Sequence, residues 1–398
     1  MIKQSIVFII ILLLSTSCDK QIKHTFYYSD GNVISDTNQL KVLTSELNKT
    51  ISSEQLEKDL KIYTCLSSKL NADFRKISTK YQGYVLDTLK KQYPEKIKHF
   101  DSLNLINNIS RIATIVINNK TAEIENCAFN MNSQNAIFDN NLESKAIQPY
   151  GYIMAFEKGM NLHDTFNSEF NRKVDMYKNP EDITVTKSFY MVPSGSIMSR
   201  PFNFYTKLDW ENIEKKIILN LDLSEFQPGP FASIKTNLYD LTKTIFLIQN
   251  DGYYQRPILI KLVKNSDGTK IFSSSTVKKQ KLLDDSVVKK MKMLFNDFMT
   301  LGQGRIHYKR NKIIEDCFFF TGSLHDYMNW SVYSNEKYTI GIIEYNYLNV
   351  NGSDIHIHRR REKLKVGLVV RDLLESLNSN NVIGENLKLI EKMDADEN

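Results

Sequence analysis

The chain has 398 residues, 41% of them hydrophobic, with 21 Phe, 20 Tyr and a formal net charge of +6. That is enough apolar material for two or three cores, which excludes a disordered chain. The charge is mild and spread along the sequence, so no nucleic-acid partner is expected.

The first residues carry one positive charge, Lys3, then an apolar run from Ile6 to Leu14 and the small residues Ser15-Thr16-Ser17 before Cys18. Nine residues rise about 13 to 14 Å as a helix against a hydrocarbon core of ~30 Å, so the run reads as an export signal rather than a permanent span. Ser17-Cys18 at its end resembles the lipobox of bacterial prolipoproteins, with Ser15 where that family usually carries Leu. The resemblance covers the first eighteen residues. It implies loss of residues 1–17, a lipid on Cys18 and a mature chain tied to an inner or outer membrane of the cell envelope. Asp19 is followed by Lys20-Gln21-Ile22-Lys23 rather than by the acidic run of surface-displayed lipoproteins, which implies a periplasm-facing placement. The mature charge is then +5, that is, +6 less Lys3. With Cys18 acylated, Cys65, Cys127 and Cys317 remain at irregular spacing, so no disulfide framework is expected, and Cys65 and Cys317 read as buried thiols.

Residues 18–40 read as a tether around a short aromatic strand. The phrase from Phe26 to Val33 is similar to a single unit of MORN-like repeats; one unit cannot bury its own face, so a local hairpin is expected. From 41 to 110 the pattern is helical, with Leu56, Leu60, Tyr63, Leu66, Leu70, Phe74, Ile77 and Tyr81 at steps of three and four, and a break at Pro94. Residues 111–280 alternate as strands, at 112–117, 121–129, 150–156, 184–192, 217–223, 244–248, 257–263 and 270–274. Asp251-Gly252 and Asp267-Gly268 supply the positive backbone angles of hairpin turns. In 281–393, Asp284-Asp285-Ser286 caps a helix reaching about Leu301, strands follow at 313–320, 338–350 and 354–358, and a helix over 363–377 closes the chain. The expected fold class is α+β: a helical N-terminal subdomain, then a β-rich antiparallel body with packed helices.

One segment carries a candidate metal set. Strand alternation puts Asp354, His356 and His358 on one face and Ile355 and Ile357 on the other, and two imidazoles with a carboxylate can hold zinc or iron. The same alternation describes a half-buried strand with its polar face in water. His24, His99, His163, His307 and His325 are scattered singly. Ser194-Gly195-Ser196 lacks the flanking glycines of a hydrolase elbow, and Gly302-Gln303-Gly304 follows a helix rather than opening one. No cofactor signature and no assembled catalytic set is present. The expected function is an envelope binding or scaffold component, anchored through Cys18 and taking a protein, cell-wall or lipid ligand. Two rivals stand beside it: an anchored metal-dependent hydrolase built on Asp354, His356 and His358, and an immunity-type lipoprotein that neutralises a toxin.

Overall fold

The computed structural model describes residues 24–92, 94–97, 110–130, 136–164, 185, 189, 205–226, 234–274, 278–300, 318–324, 328–350, 353–356 and 365–378. β1 (His24–Tyr27) folds back through the expected local hairpin, with Ile34 N–H donating to Phe26 O at 2.8 Å. Asp36 caps α1 (Thr37–Thr50), its carboxylate accepting from the N–H groups of Asn38 and Gln39 at 2.9 and 3.0 Å, and Gln39, Leu43 and Leu47 bury one helix face. Within the span read as a tether, residues 24–40 therefore belong to the folded body. β2 (Leu60–Thr64) follows, then α2 (Ser68–Gln92), β3 (Ser110–Asn118) and β4 (Ile124–Phe129). Next come α3 (Gln148–Glu157), α4 (Lys207–Lys216), α5 (Leu238–Gln249), β5 (Tyr253–Tyr254), β6 (Ile260–Asn265), β7 (Lys270–Ser273) and β8 (Gln280–Lys281). The last described elements are α6 (Asp285–Thr300), β9 (Phe318–Leu324), β10 (Met328–Ser334), β11 (Tyr338–Val350), β12 (Ser353–His356) and α7 (Lys365–Asn378).

The main sheet has the order β4-β3-β11-β10-β9, antiparallel throughout, with β12 paired to the far end of β11. Alternation along its strands feeds two cores. Ala113, Ile115, Phe320, Trp330 and Ile343 face a core shared with α3, α5 and α6, while Ile112, Val116, Phe319, Tyr333 and Ile342 face one shared with α2 and α7. The result is an α+β fold with helices on both faces of an antiparallel sheet. A smaller sheet, β1-β2-β6-β7, pairs β1 parallel to β2 and the others antiparallel.

Four expected elements are corrected. The helical stripe is interrupted at Leu60–Thr64, which is β2; Leu60, Ile62 and Thr64 are buried and Lys61 is exposed, and pairing to β1 and β6 on both edges overrides the three-and-four spacing. The strands expected at 150–156 and 244–248 are α3 and α5. Both helices are buried on every side, so neither shows the polar face that would mark a helical period. The strand expected at 217–223 is an irregular segment, two of whose N–H groups are taken by carboxylates: Leu221 N–H donates to Glu214 Oε1 at 2.8 Å and Asn220 N–H to Asp240 Oδ2 at 2.7 Å. Gly252 takes the expected positive φ, 78°, but ends a helix: its N–H donates to Leu247 O at 2.9 Å. The Asp267-Gly268 turn does join two strands, with Gly268 at φ 88°.

Candidate functional site at the start of α3

A single turn of 3-10 helix, Ser144–Ile147, runs straight into α3, where Pro149 sits in the first turn with its fixed φ already suited to a helix. The residues it buries are unusual for such a position. Lys145 is 5% exposed, and its Nζ lies 4.3 Å from the ring centre of Phe298 on α6 and 5.6 Å from that of Phe320 on β9. Phe320 is itself stacked on Phe189 at 5.5 Å and tilted against Trp330 at 5.4 Å. A cation at a helix N-terminus opposes the positive end of the helix dipole, and the ring faces of Phe298 and Phe320 offset that by attracting the ammonium.

One turn further, Gln148 is fully buried, and neither its Oε1 nor its Nε2 has a hydrogen-bond partner among the described residues. Tyr150 follows, its hydroxyl 3.0 Å from Thr236 Oγ1 and its pKa raised by burial. On β9, Phe320 turns towards Lys145. Thr321 turns the other way, its Oγ1 donating to Trp330 O at 2.8 Å and accepting from Ser331 Oγ at 3.1 Å. Gly322 completes the stretch because a Cβ there would collide with the Trp330 indole.

Chemically the junction is enclosed, with Lys145 and Gln148 both buried. The Gln148 carboxamide takes no proton near neutrality, so it supplies neither a general base nor a nucleophile. The nearest buried ion pair, Lys243 Nζ to Asp240 Oδ1 at 2.6 Å on α5, is occupied with backbone: Asp240 accepts from Asn220 N–H and Lys243 donates to Ile218 O. A second hollow, an open groove of about 760 Å³ along α6, is edged by Asp251, Lys292, Asp297 and Phe318. Burial raises the Asp297 carboxyl and the nearby His163 opposes that, while Lys292 pairs with Asp251 at 2.6 Å.

The residues singled out from sequence lie elsewhere. Cys18 and His358 are outside the described residues. Asp354 and His356 stand on β12 opposite Asn349 and Tyr347, six to eight residues along β11 from the level of Phe320, roughly 20–27 Å at strand rise. Cys65 and Cys127 are free and buried, and burial pushes both thiols up to about 12, so neither is a nucleophile; Cys317 lies outside the described residues. His24, at the start of β1, is held below the ordinary imidazole value by burial, with Asp59 opposing. The residues that sequence reasoning passed over are Lys145, Gln148 and Phe320.

No family model and no curated protein sequence matches the chain. Among solved structures the fold is similar to the penicillin-binding protein PonA1 from Mycobacterium tuberculosis, with a TM-score of 0.57 and 11% identity over 87% of this chain and 91% of that one. It is also similar to the D,D-transpeptidase domain of a peptidoglycan glycosyltransferase from Eggerthella lenta, with a TM-score of 0.56 and 12% identity over 90% and 98% of the two chains. Penicillin-binding protein 1A from Haemophilus influenzae gives 0.61 and 9% over 87% and 71%. The chain thus has the fold of penicillin-binding protein transpeptidase domains; at these identities the likeness is one of fold.

Proposed function

We propose that this protein is a transpeptidase-fold lipoprotein without acyl-transfer chemistry, serving as an anchored binding or scaffold component of the cell envelope. The observation that carries the reading is the side-chain set at the start of α3. Penicillin-binding proteins work through S-x-x-K, S-D-N and K-T-G motifs around a serine nucleophile. Neither K-T-G nor S-D-N occurs in these 398 residues. Phe320-Thr321-Gly322 differs from K-T-G only in having Phe for Lys. Motifs that share one reaction must converge, so the place for a serine and its lysine is the segment against Phe320. That segment reads Lys145-Ala146-Ile147-Gln148. Of the S-x-x-K tetrapeptides present, Ser17–Lys20 spans the signal and Ser275 lies outside the described residues. Ser286 and Lys289 are exposed on the first turn of α6, and Ser334 Oγ is engaged with Thr339 Oγ1 in the β10–β11 turn.

Envelope placement draws on two independent supports, the signal and Ser17-Cys18 at the N-terminus and a fold shared with penicillin-binding proteins. The test is exposure of the purified protein to a fluorescent penicillin beside a penicillin-binding protein control. No covalent band is expected; a stoichiometric band abolished by prior unfolding would overturn the reading. Its binding half is tested by capture from gently solubilised envelopes against a Cys18→Ala chain, where a stoichiometric ligand or protein partner is expected and recovery of the protein alone counts against it.

A further inference from the structure

The small sheet presents a row of lysines on the face turned away from the core. Phe26, Leu60, Ile62 and Val263 fill the inner face, so alternation places Thr25, Lys61, Lys264 and Lys270 side by side on the outer one. The register is explicit: Thr25 opposes Lys61, Lys61 opposes Lys264, and Lys264 opposes Lys270. The next row holds Tyr27 and Tyr63, stacked at 5.1 Å, and Lys264 Nζ lies 5.8 Å from the Tyr63 ring centre. Like charges directly opposite one another across a sheet repel. Elsewhere the molecule neutralises such groups, as where neighbouring Lys261 meets Glu123 at 2.7 Å, but Lys61, Lys264 and Lys270 have no carboxylate within ion-pair distance among the described residues. Two acidic groups at the edge of the sheet have other neighbours: the Asp267 carboxylate accepts from Thr269 N–H at 2.8 Å and feels Lys58, and Asp59 acts on His24.

The position of this face matters as much as its charge. β1 starts at His24, six residues after Cys18, a reach of at most about 22 Å fully extended. We infer that the Lys61–Lys264–Lys270 face, with the Tyr27–Tyr63 pair beside it, docks on anionic lipid headgroups and sets the orientation of the body on its membrane. The inference rests on the reading of Cys18 as the lipid anchor for its location, though not for its charge. A lipid chain and a basic patch are complementary signals: the chain retains the protein, and the patch fixes which face looks at the bilayer.

The experiment uses the mature chain with Cys18→Ala, so that no acyl group contributes, and measures co-flotation with vesicles of phosphatidylcholine containing phosphatidylglycerol or of phosphatidylcholine alone. Binding is expected only to the anionic vesicles and is lost at high salt. The combined Lys61→Gln, Lys264→Gln and Lys270→Gln variant is expected to bind roughly 100-fold more weakly, from the usual contribution of a basic residue near such a surface. A control with the same charge change at exposed sites elsewhere, Lys49→Gln, Lys207→Gln and Lys215→Gln, retains binding. No binding by the parent chain, or an equal loss in both variants, overturns the inference. So does binding to isolated cell-wall sacculi in preference to vesicles. Mass spectrometry of the membrane-extracted protein reads the acylation of Cys18 separately, so a failed anchor and a failed docking face give different results.

Discussion

Lysine plays opposite parts at the start of α3 and on the small sheet. Lys145 is enclosed by the rings of Phe298 and Phe320, next to the buried Gln148 and one helix away from the buried Asp240–Lys243 pair. Lys61, Lys264 and Lys270 stand on the outer face of β2, β6 and β7, where water carries most of the cost of their charge. The interior region has little freedom: a polar group there has given up hydration, which the Asp240–Lys243 pair offsets with hydrogen bonds and which Gln148 does not among the described residues. The outer row contributes little to the fold and is for that reason available to a partner.

Substitutions that break this contrast are expected to scale with enclosure. Asp240→Ala leaves Lys243 charged and buried and releases the N–H groups of Asn220 and Asn237's amide, so a loss of about 3–5 kcal/mol is expected in denaturant unfolding. Phe320→Ala is expected to cost a similar ~3–5 kcal/mol, because it opens a cavity among Phe189, Phe298 and Trp330; a loss below about 1 kcal/mol would mean that the junction is not packed as described. Gly341→Ala comes next. Its Cβ would run into Thr242 Oγ1 and approach Ile115 at 3.1 Å, prising α5 from the sheet at about 1–3 kcal/mol.

A pH titration sharpens the comparison without mutation. Burial holds the Cys65, Cys127 and Tyr254 protons up to about 12, above their unfolded values. Between roughly pH 9 and 12 the folded chain therefore binds more protons than the unfolded one, and stability falls as pH rises through that window. The same burial predicts that Cys65 and Cys127 resist alkylation at pH 8 until denaturant is added. The smallest effect is expected on the outer sheet, where Lys61→Gln changes unfolding by no more than about 0.5 kcal/mol while weakening vesicle binding. Metal analysis completes the set: no stoichiometric zinc or iron is expected, and metal lost on His356→Ala would move the function towards the hydrolase reading.

Much of the periphery could be read from the sequence, and its amphipathic elements are the reason. α1, α6 and α7 each carry an apolar stripe against a polar face, and the hairpins β3–β4, β6–β7 and β11–β12 announce themselves by alternation around turn residues. The centre could not be read in this way. In Tyr150–Phe156 and Thr244–Ile248 every position is buried, so the helical period leaves no trace, and aromatic and β-branched residues imitate a strand. The junction at α3 had one visible mark, Phe320-Thr321-Gly322 standing one residue away from K-T-G, but three neighbouring phenylalanines made it read as core.

By itself the sequence determined the α+β class and the amphipathic outer helices, since each depends on neighbours close along the chain, and it is the ground for expecting an export signal ending at Cys18. The tertiary structure alone decided that Lys145 faces Phe320 across 175 residues, and that Lys61 stands beside Lys264 across some 200, with Lys264 beside Lys270. Sheet pairing and core packing join residues by space rather than by spacing, and no periodicity in a single chain records which distant segments will meet.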